Sequence, residues 1–435
     1  MTTEQSKLNG DEKVISEPPE WSKKKLDEVA SINLGQSPKG EYYNKDGNGP
    51  HFIQGSKNFG NKYPKLDRFC SKPKRQADEG DVLISVRAPV GPVNIAPEKI
   101  CIGRGVTALK MYEGPNDYLY YFLKYFEDMW SQYADGTTFN SITKSDLQNL
   151  EIPYPPLKER NNIAYILNRI DDKIEVNNQI NDIIEEMAQI LFRSWFVEFE
   201  PYANFKDSEI GKVPDSFEVN LLEDVLSFQR GYSYSGDELI DEESDKDVLE
   251  GYPMVNLGNI SPGGGYRPEK IKYCEGVPKD RYLVEPGDLV ISHTDMTQDQ
   301  DILGSPVIVP NLDQEPLLFS HHLYAIREVD LPKEYLYYYF LSRYFKPKAE
   351  SFASGTTVLS FSSKIGLDVY IPIPPEEDLK RFVDVARPIF EVKENIRQEN
   401  DNLTDLRNTL LPQLLTGEVR VNDISLDGLE VDSGV

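Results

Sequence analysis

The chain contains a long-period internal repeat. Glu79–Val86 reads EGDVLISV, and Pro286–His293 reads PGDLVISH. Ala134–Thr138 (ADGTT) and Ile152–Leu157 (IPYPPL) return later in the chain as ASGTT and IPIPPE, and both return at one common offset. Because the period is that of a domain, the repeat predicts two similar globular domains in one chain. Two such domains can bind two similar ligands, such as two segments of one duplex.

Size and composition limit the class of protein. The 435 residues suffice for two or three domains with separate cores. No apolar run approaches the roughly 18 residues of a membrane span, and the polar N-terminus MTTEQSKLNGDEK lacks the apolar core of a signal peptide. Cys70, Cys101 and Cys274 are odd in number and widely spaced. We therefore expect a cytoplasmic protein with free thiols, no metal site and no membrane partner.

The net charge of −26 does not exclude a nucleic-acid partner. Residues 1–150 carry 20 basic and 20 acidic side chains, so the acidic excess lies later in the chain. Charges farther from a phosphate than a Debye length of about 8 Å are largely screened. The local distribution of charge therefore matters more than the total.

Each repeat ends in a long heptad pattern. Short β-rich pieces come first, then an aromatic amphipathic helix (118–133 and 335–345) and a GTT loop. A short capped helix at 143–150 and a strand that ends at two prolines follow. The apolar period then changes to 3.5 over about five heptads, and Asn181 and Asn400 take equivalent seam positions, where a polar residue fixes register. One such helix could be the buried face of an ordinary helix, but two at the same place favour a paired, antiparallel coil. The predicted seam comprises Leu167, Ile170, Ile174, Asn181, Ile184, Leu191, Ile389, Ile396, Asn400, Leu403 and Leu410.

These patterns give a domain division and a fold class. They predict two similar globular domains of mixed helix and strand, separated by two long helices that form an antiparallel coiled coil. The predicted segments are a polar tail at 1–18, a globular domain at 19–156, a long helix at 157–197, a linker at 198–213, a second globular domain at 214–375, a second long helix at 376–416 and a tail at 417–435.

Catalytic motifs are missing. The chain has no GxxxxGK[ST] phosphate loop, and its PYPP and PIPP pieces lack the Asn or Asp with which an amino-methyltransferase binds its target amine. No pair of carboxylates points to a nuclease centre. His321 and His322 are adjacent, so in a strand they would face opposite sides and would not readily share a metal.

Two basic segments with interleaved aromatic residues are the features that point to nucleic-acid binding. Residues 57–75 carry a local net charge of +6 around Phe59, Tyr63 and Phe69, and residues 267–281 carry +2. Lys and Arg neutralise phosphates, while Asn, Gln and Arg read base edges. Solvated loops are the alternative interpretation. The candidate DNA-binding side chains are Lys57, Lys62, Lys65, Lys72, Lys74, Arg75, Arg87, Arg104, Arg267, Lys270, Lys272, Lys279 and Arg281.

The glycines beside Arg104 have two interpretations. Gly103 and Gly105 flank this arginine directly. Glycine allows a backbone to approach a ligand closely, and it also allows a tight turn without any ligand. The sequence favours neither.

Several longer motifs resemble one family, the DNA-specificity subunits of type I restriction–modification enzymes. They are GDVLISVRAPVG (80–91), CIGRGVTAL (101–109), GTTFNSITKSDLQNLEIPYPPLKERNNIAYIL (136–167), LFRSWFVEFEPY (191–202) and TLLPQLLTGEVRV (409–421). The resemblance runs from about Glu20 to Val421. The second globular copy departs most, because ISHTDMTQDQDILG replaces ISVRAPVGPVNI and leaves no arginine to match Arg87.

The resemblance implies a function and a set of partners. The fold class would be α/β, with the two globular repeats held apart by the antiparallel coiled coil in a pseudo-twofold arrangement. Each globular repeat would be a target-recognition domain that reads one half of a split, asymmetric sequence in double-stranded DNA. Two modification subunits would dock on the chain and methylate adenine with S-adenosylmethionine, and restriction subunits would translocate and cleave DNA with ATP and Mg²⁺. The chain itself would hold no cofactor and catalyse nothing.

Two other functions remain open. One is a stand-alone methyltransferase or nuclease with a degenerate site, which binding of S-adenosylmethionine by the isolated chain would reveal. The other is a scaffold that spaces two protein-binding domains without touching DNA.

Overall fold

The computed structural model divides the chain inside its two longest helices. It describes residues 21–130, 141–240, 251–268, 271–275, 279–296, 300–312, 316–355 and 358–421. Unit 1 comprises Met1–Val176 with Asn400–Val435, and unit 2 comprises Asn177–Glu399. The predicted division instead places its boundaries at the helix ends. No helix in the described ranges is long and apolar enough to cross a membrane.

Unit 1 is built on small, mainly antiparallel sheets. Strands β2, β10, β7 and β8 form one sheet in that order, and β4, β9 and β6 form another, in which β4 and β9 run parallel. The strands are β1 (Ser22–Lys25), β2 (Ala30–Leu34), β3 (Tyr43–Asn44), β4 (Phe52–Ile53), β5 (Phe69–Cys70), β6 (Gln76–Ala77), β7 (Val82–Ser85), β8 (Val93–Ile95), β9 (Ile100–Ile102), β10 (Val106–Met111) and β11 (Glu151–Tyr154). Helices α1 (Leu26–Val29), α2 (Asn116–Tyr125) and α3 (Lys144–Asn149) complete this globular part.

The aromatic helix α2 lies at the centre of the unit 1 core. All six residues from Tyr118 to Leu123 are buried, because the helix is covered by a sheet on one side and by long-helix residues such as Leu167 and Leu414 on the other. The sequence predicts this helix over 118–133, whereas the structure ends it at Tyr125 and continues with a 3₁₀ turn at Glu127–Met129.

Unit 2 repeats the four-stranded sheet, and its second sheet has five strands where that of unit 1 has three. Strands β15, β24, β20 and β22 form one sheet, and β16, β18, β17, β23 and β19 form the other. The strands are β12 (Phe205–Ser208), β13 (Gly211–Pro214), β14 (Glu218–Leu221), β15 (Ser227–Arg230), β16 (Leu239–Ile240), β17 (Tyr252–Val255), β18 (Lys272–Cys274), β19 (Leu283–Val284), β20 (Leu289–Ser292), β21 (Thr294–Asp295), β22 (Pro306–Ile308), β23 (Leu317–Phe319), β24 (Leu323–Arg327), β25 (Leu359–Ser360) and β26 (Tyr370–Ile373).

The two long helices contribute a segment to each unit. They are α4 (Leu157–Phe196) and α8 (Glu376–Thr416), and unit 2 also contains α5 (Lys333–Leu341), α6 (Lys346–Ser351) and α7 (Ser363–Leu367). Every predicted seam residue is buried or half-buried. Helix α5 is the second aromatic helix, which the sequence places at 335–345. It ends at Leu341 because Ser342 takes an extended conformation.

Within unit 1, polar contacts fix the register of the two helix segments. Arg407 donates a hydrogen bond to Asp171 at 2.9 Å, and Tyr121 donates to the same carboxylate at 2.7 Å. Arg420, just beyond α8, pairs with Glu159 at 3.0 Å. Because the partner number falls as the residue number in α4 rises, the two segments run antiparallel.

Within unit 2, the other two segments are also antiparallel. Asn177 donates to Glu399 at 2.8 Å, and Lys393 pairs with Glu185 at 2.5 Å. Lys393 occupies a position of the apolar heptad pattern, so its charge is balanced inside the helix pair. The predicted mixture of helix and strand is confirmed. The arrangement of two domains around a coiled coil stays a prediction.

Candidate nucleic-acid interface

Several turns of unit 1 meet at one edge of the sheet formed by β4, β9 and β6. Because β4 and β9 are parallel, Gln54 and Arg104 both follow the carboxyl ends of their strands. Strand β6 runs the other way, so Arg75, just before it, lies at the same edge. The backbone hydrogen bonds confirm this placement: the Gly103 amide donates to Ile53 at 2.8 Å, and the Ile102 amide donates to Arg75 at 3.0 Å.

Arg87 joins the same edge through β7. The Val86 amide donates to the Gly105 carbonyl at 2.9 Å, which places Arg87 next to the turn that carries Arg104. The Ser85 hydroxyl donates to the Arg87 carbonyl at 2.9 Å, and Arg87 forms an isolated bridge with Ser141. The backbone of Arg87 is therefore held while its side chain points into solvent.

Four exposed polar side chains lie at this edge. Gln54, Arg75, Arg87 and Arg104 are exposed. Within the described ranges none of their side chains makes a hydrogen bond or ion pair with the protein. We call these four residues the unit 1 reading edge. A guanidinium with free N–H groups is suited to a phosphate or to the edge of a guanine.

The glycines beside Arg104 are required by close packing between turns. A Cβ on Gly105 would lie 2.5 Å from the Gln54 carbonyl oxygen, and one on Gly103 would lie 3.1 Å from the Gln54 Cα. These distances leave no room for a side chain at Gly105 without moving backbone. This packing against the Gln54 backbone accounts for both glycines, and neither has the positive φ that only a glycine turn would need.

The lysines of the basic segment have different surroundings. Lys57, Lys65, Lys72 and Lys74 are exposed, and the Lys72 ammonium lies 4.8 Å from the centroid of the Tyr42 ring. Lys62 differs, because its side chain is only 15% exposed. It donates to Asn168 at 3.0 Å and pairs with Asp172 at 3.6 Å, both on α4. We therefore assign Lys62 a structural role in unit 1 in place of the predicted phosphate contact.

Unit 2 carries the same turns, and strand pairing aligns them residue by residue. Leu323 pairs with Ser292 as Val106 pairs with Ser85. The residue two before Leu323 is His321, so His321 occupies the place of Arg104. Likewise Thr294 occupies the place of Arg87.

The basic residues before β19 align with those before β6. Leu283 pairs with Leu318 as Gln76 pairs with Cys101. Counting back, Lys279 matches Lys72, Arg281 matches Lys74 and Tyr282 matches Arg75. Both cations are exposed. The Arg281 guanidinium lies 4.6 Å from the centroid of the Tyr282 ring.

The remaining predicted residues of unit 2 are less informative. Arg267 is exposed, and its backbone is tied to Asn259 by two hydrogen bonds of 2.8 and 2.9 Å. Lys272 is half-buried in β18. Lys270 lies outside the described residues.

The histidines of unit 2 correct one expectation from sequence. His321 and His322 lie in a turn after β23, so they do not face opposite sides, and their ring centroids are 4.0 Å apart. His293 is buried against Tyr324, at 4.1 Å between ring centroids, and its Nε2 lies 2.8 Å from the His321 carbonyl oxygen. Burial lowers the pKa of His293 to about 4. No group of three metal-ligating side chains occurs in the part of the chain that the structure describes.

Sequence reasoning missed four residues at these edges. Gln54, Arg230, His321 and His322 were not candidates, because none lies in a dense basic cluster. The exposed Arg230 donates to the His321 carbonyl at 3.1 Å. Residue-by-residue alignment of the two repeats could have found His321, but the loop insertions between the copies hide the register.

Comparison with known proteins gives matches to one kind of protein. Residues 18–186 match the model of the type I restriction modification DNA specificity domain. A putative type I restriction enzyme MjaX specificity subunit from Methanocaldococcus jannaschii is 42% identical over 173 residues, which cover 39% of this chain and 41% of that relative. The MjaIX specificity subunit of the same organism is 26% identical over 94% of this chain and 95% of its own length.

A solved structure shows the same fold. The S subunit of a type I restriction–modification system from M. genitalium matches with a TM-score of 0.54 at 18% identity, covering 94% of this chain and 98% of that one. The fold is thus that of a solved type I S subunit. Residues 18–186 match a type I restriction modification DNA specificity domain, and over nearly its whole length the chain is similar to type I specificity subunits.

Proposed function

We propose that this chain supplies the DNA sequence specificity of a type I restriction–modification complex. Each unit reads one half of a split, asymmetric target with the edge described above. The observation that carries the proposal is the unit 1 reading edge, where three exposed arginines and Gln54 lie at one sheet edge without hydrogen-bond or ion-pair partners among the described residues. Such a cluster stands out in a chain whose net charge is −26.

The chemistry of the edge suits readout of bases. Phosphate contacts position a protein on DNA, whereas hydrogen bonds to base edges carry sequence information. Arginine bonds in a bidentate manner to guanine, and glutamine bonds to adenine. The exposed Lys72 and Lys74 flank this edge in the chain and supply the contacts with phosphate.

Catalysis belongs to other subunits in this proposal. Modification subunits would methylate adenine with S-adenosylmethionine, and restriction subunits would use ATP and Mg²⁺. The specificity chain would position them on the target without holding these cofactors itself.

Helix α4 carries a second apolar stripe that a helix of another subunit could cover. In unit 2, Ile180, Ile183, Met187 and Ile190 are exposed at spacings of three and four residues, and Met187 is 61% exposed. Ile180, Ile183 and Ile190 each lie one position before a seam residue, and Met187 continues their spacing, so the stripe lies about 100° around the helix from the seam. Heptad spacing on a free helix face fits a second helix. We propose that a helix of a modification subunit covers it.

The experiment is to express the chain with its modification subunit in a host that lacks adenine methylation and to sequence the methylome. We expect one split motif. Replacing Arg75 and Arg104 together by Ala should abolish or relax one half and retain the other. Methylation without any sequence preference, or the same motif in the variant, would contradict the proposal. Binding of S-adenosylmethionine by the chain alone would favour the methyltransferase alternative, and a complex that assembles without binding DNA would favour the scaffold.

A further inference from the structure

The aligned edges of the two units agree at some positions and differ at others. Both units place cations at the positions of Lys72 and Lys74, which Lys279 and Arg281 occupy in unit 2. At the reading positions they differ, because His321 replaces Arg104, and Tyr282 and Thr294 replace the other two arginines.

This division matches the two tasks of a DNA-reading surface. Every DNA sequence presents the same phosphates, so both units need cations at similar places. An asymmetric target presents different bases to the two units, so the side chains that read bases must differ. Accessible positions that agree are then phosphate contacts, and accessible positions that differ are base contacts. Thr294 is buried and supports His322 instead.

We propose that the turn carrying His321 and His322 determines the sequence specificity of unit 2, and that Lys279 and Arg281 hold its phosphates. This rests on the proposed function and extends it to residues that are not in any basic cluster. The turn reads bases with imidazole rings where unit 1 uses the guanidinium of Arg104.

The backbone of this turn is fixed from three sides. The His321 amide donates to Tyr232 at 2.7 Å. The His321 carbonyl oxygen accepts from Arg230 at 3.1 Å and lies 2.8 Å from the His293 ring nitrogen. Reading groups need such support, because a base contact depends on a fixed geometry.

The rings are also ordered, and they retain capacity for hydrogen bonds. His322 Nδ1 lies 2.9 Å from the Thr294 hydroxyl, and its ring packs against that of His321 with the two planes tilted by 37°. His321 Nδ1 is buried without a hydrogen-bond partner in the described part of the chain, so the Nε2 atoms of the two half-buried rings are the ones that would meet a base. Burial lowers the pKa of both imidazoles, that of His322 to about 4. The rings are therefore neutral at neutral pH and act through hydrogen bonds and shape.

The test exchanges the reading residues between units in the complete complex with its modification subunit. One variant, His321→Arg with His322→Gly, gives unit 2 the Arg-Gly pair of unit 1. The other, Arg104→His, gives unit 1 the imidazole. We expect each variant to change one half of the methylated motif, and the two variants to change opposite halves. Affinity for the original target should fall roughly 10-fold or more.

Matched controls separate reading from general binding and from folding. Lys279→Ala should lower affinity for all sequences and leave the motif unchanged. If the double variant does not assemble, His321→Gln keeps a neutral side chain and should relax a position in the same half.

Three outcomes are distinct. An unchanged motif in an assembled His321 variant would overturn the inference, as would a change in the half that Arg104→His alters. If Arg104→His still changes its half, the proposed function stands while the inference fails. If the unaltered complex methylates without a motif, the proposed function itself fails.

Discussion

Similar basic residues of this chain have different tasks because their neighbours differ. Lys62 is held by Asn168 and Asp172 on α4, whereas Lys74 is exposed to solvent. Both stand in the same basic segment. The side chain that looks most typical of a phosphate contact in sequence therefore stabilises the fold, and a less clustered one such as Arg104 is free to bind.

His293 gives a prediction at the scale of one residue. Its pKa is lowered by burial to about 4, below the ordinary value of about 6.5. The unfolded chain therefore binds the proton first, and the stability that His293 contributes is present above pH 6.5 and is lost as the pH falls toward 4. We expect His293→Val, the residue at the matching position in unit 1, to reduce the loss of stability between pH 7.5 and pH 5 by on the order of 2 kcal/mol.

The measurement is the urea midpoint of the full chain at the two pH values, wild type against variant. Some pH dependence will remain, because burial also lowers the pKa of His321 and His322. The same loss in both proteins would show that the buried imidazole does not control acid stability.

At the scale of elements, heptads and caps specify helices, and polar pairs set their register. Helix α3 begins at Lys144 because Thr143 and Asp146 form a capping box, with bonds of 3.2 and 2.7 Å. In unit 2 the half-buried Glu185 and Lys393 meet at 2.5 Å. A charge left in this place without its partner is costly.

We therefore predict strong coupling between Glu185 and Lys393. Glu185→Gln and Lys393→Met should each destabilise the chain, and the double variant should be more stable than the sum of the two effects implies, by about 1–3 kcal/mol. Chemical denaturation of the four proteins measures this coupling. The exposed pair Glu377–Arg381, at 2.8 Å, is the control and should show at most about 0.5 kcal/mol. Equal coupling in both pairs would mean that the seam pair does not set the register.

At the scale of the whole molecule, the proposed function requires an acidic chain to bind DNA through local basic edges. The net charge of −26 opposes DNA at long range, but salt screens it over about 8 Å at physiological ionic strength. The two units use the same sheets with different side chains at the same turns, so one framework can present two different reading surfaces.

The salt dependence of binding tests this local action. Replacing Lys72 and Lys74 by Ala in the complete complex should reduce the slope of log affinity against log salt concentration by about 2, since each lost phosphate contact removes about 0.9. Lys110→Ala is the control, because this exposed lysine lies near the other end of β10 and pairs with Asp78. A filter-binding or fluorescence titration at several salt concentrations gives the slopes. Equal slopes in the Lys72/Lys74 variant and the wild type would show that these lysines are solvated and contact no phosphate.

The sequence by itself determined the features that depend on neighbouring residues along the chain. The repeat, the heptad helices, and the capped helix after Thr143 are local patterns, so periodicity and cap chemistry suffice to predict them. Strand pairing is not local, and only the tertiary structure brought Gln54, Arg75 and Arg104 to one edge. It also placed Lys62 against α4 and brought the rings of His321 and His322 together. The neighbours of a side chain are set by the register between distant strands and helices, and residue spacing along the chain does not contain that information.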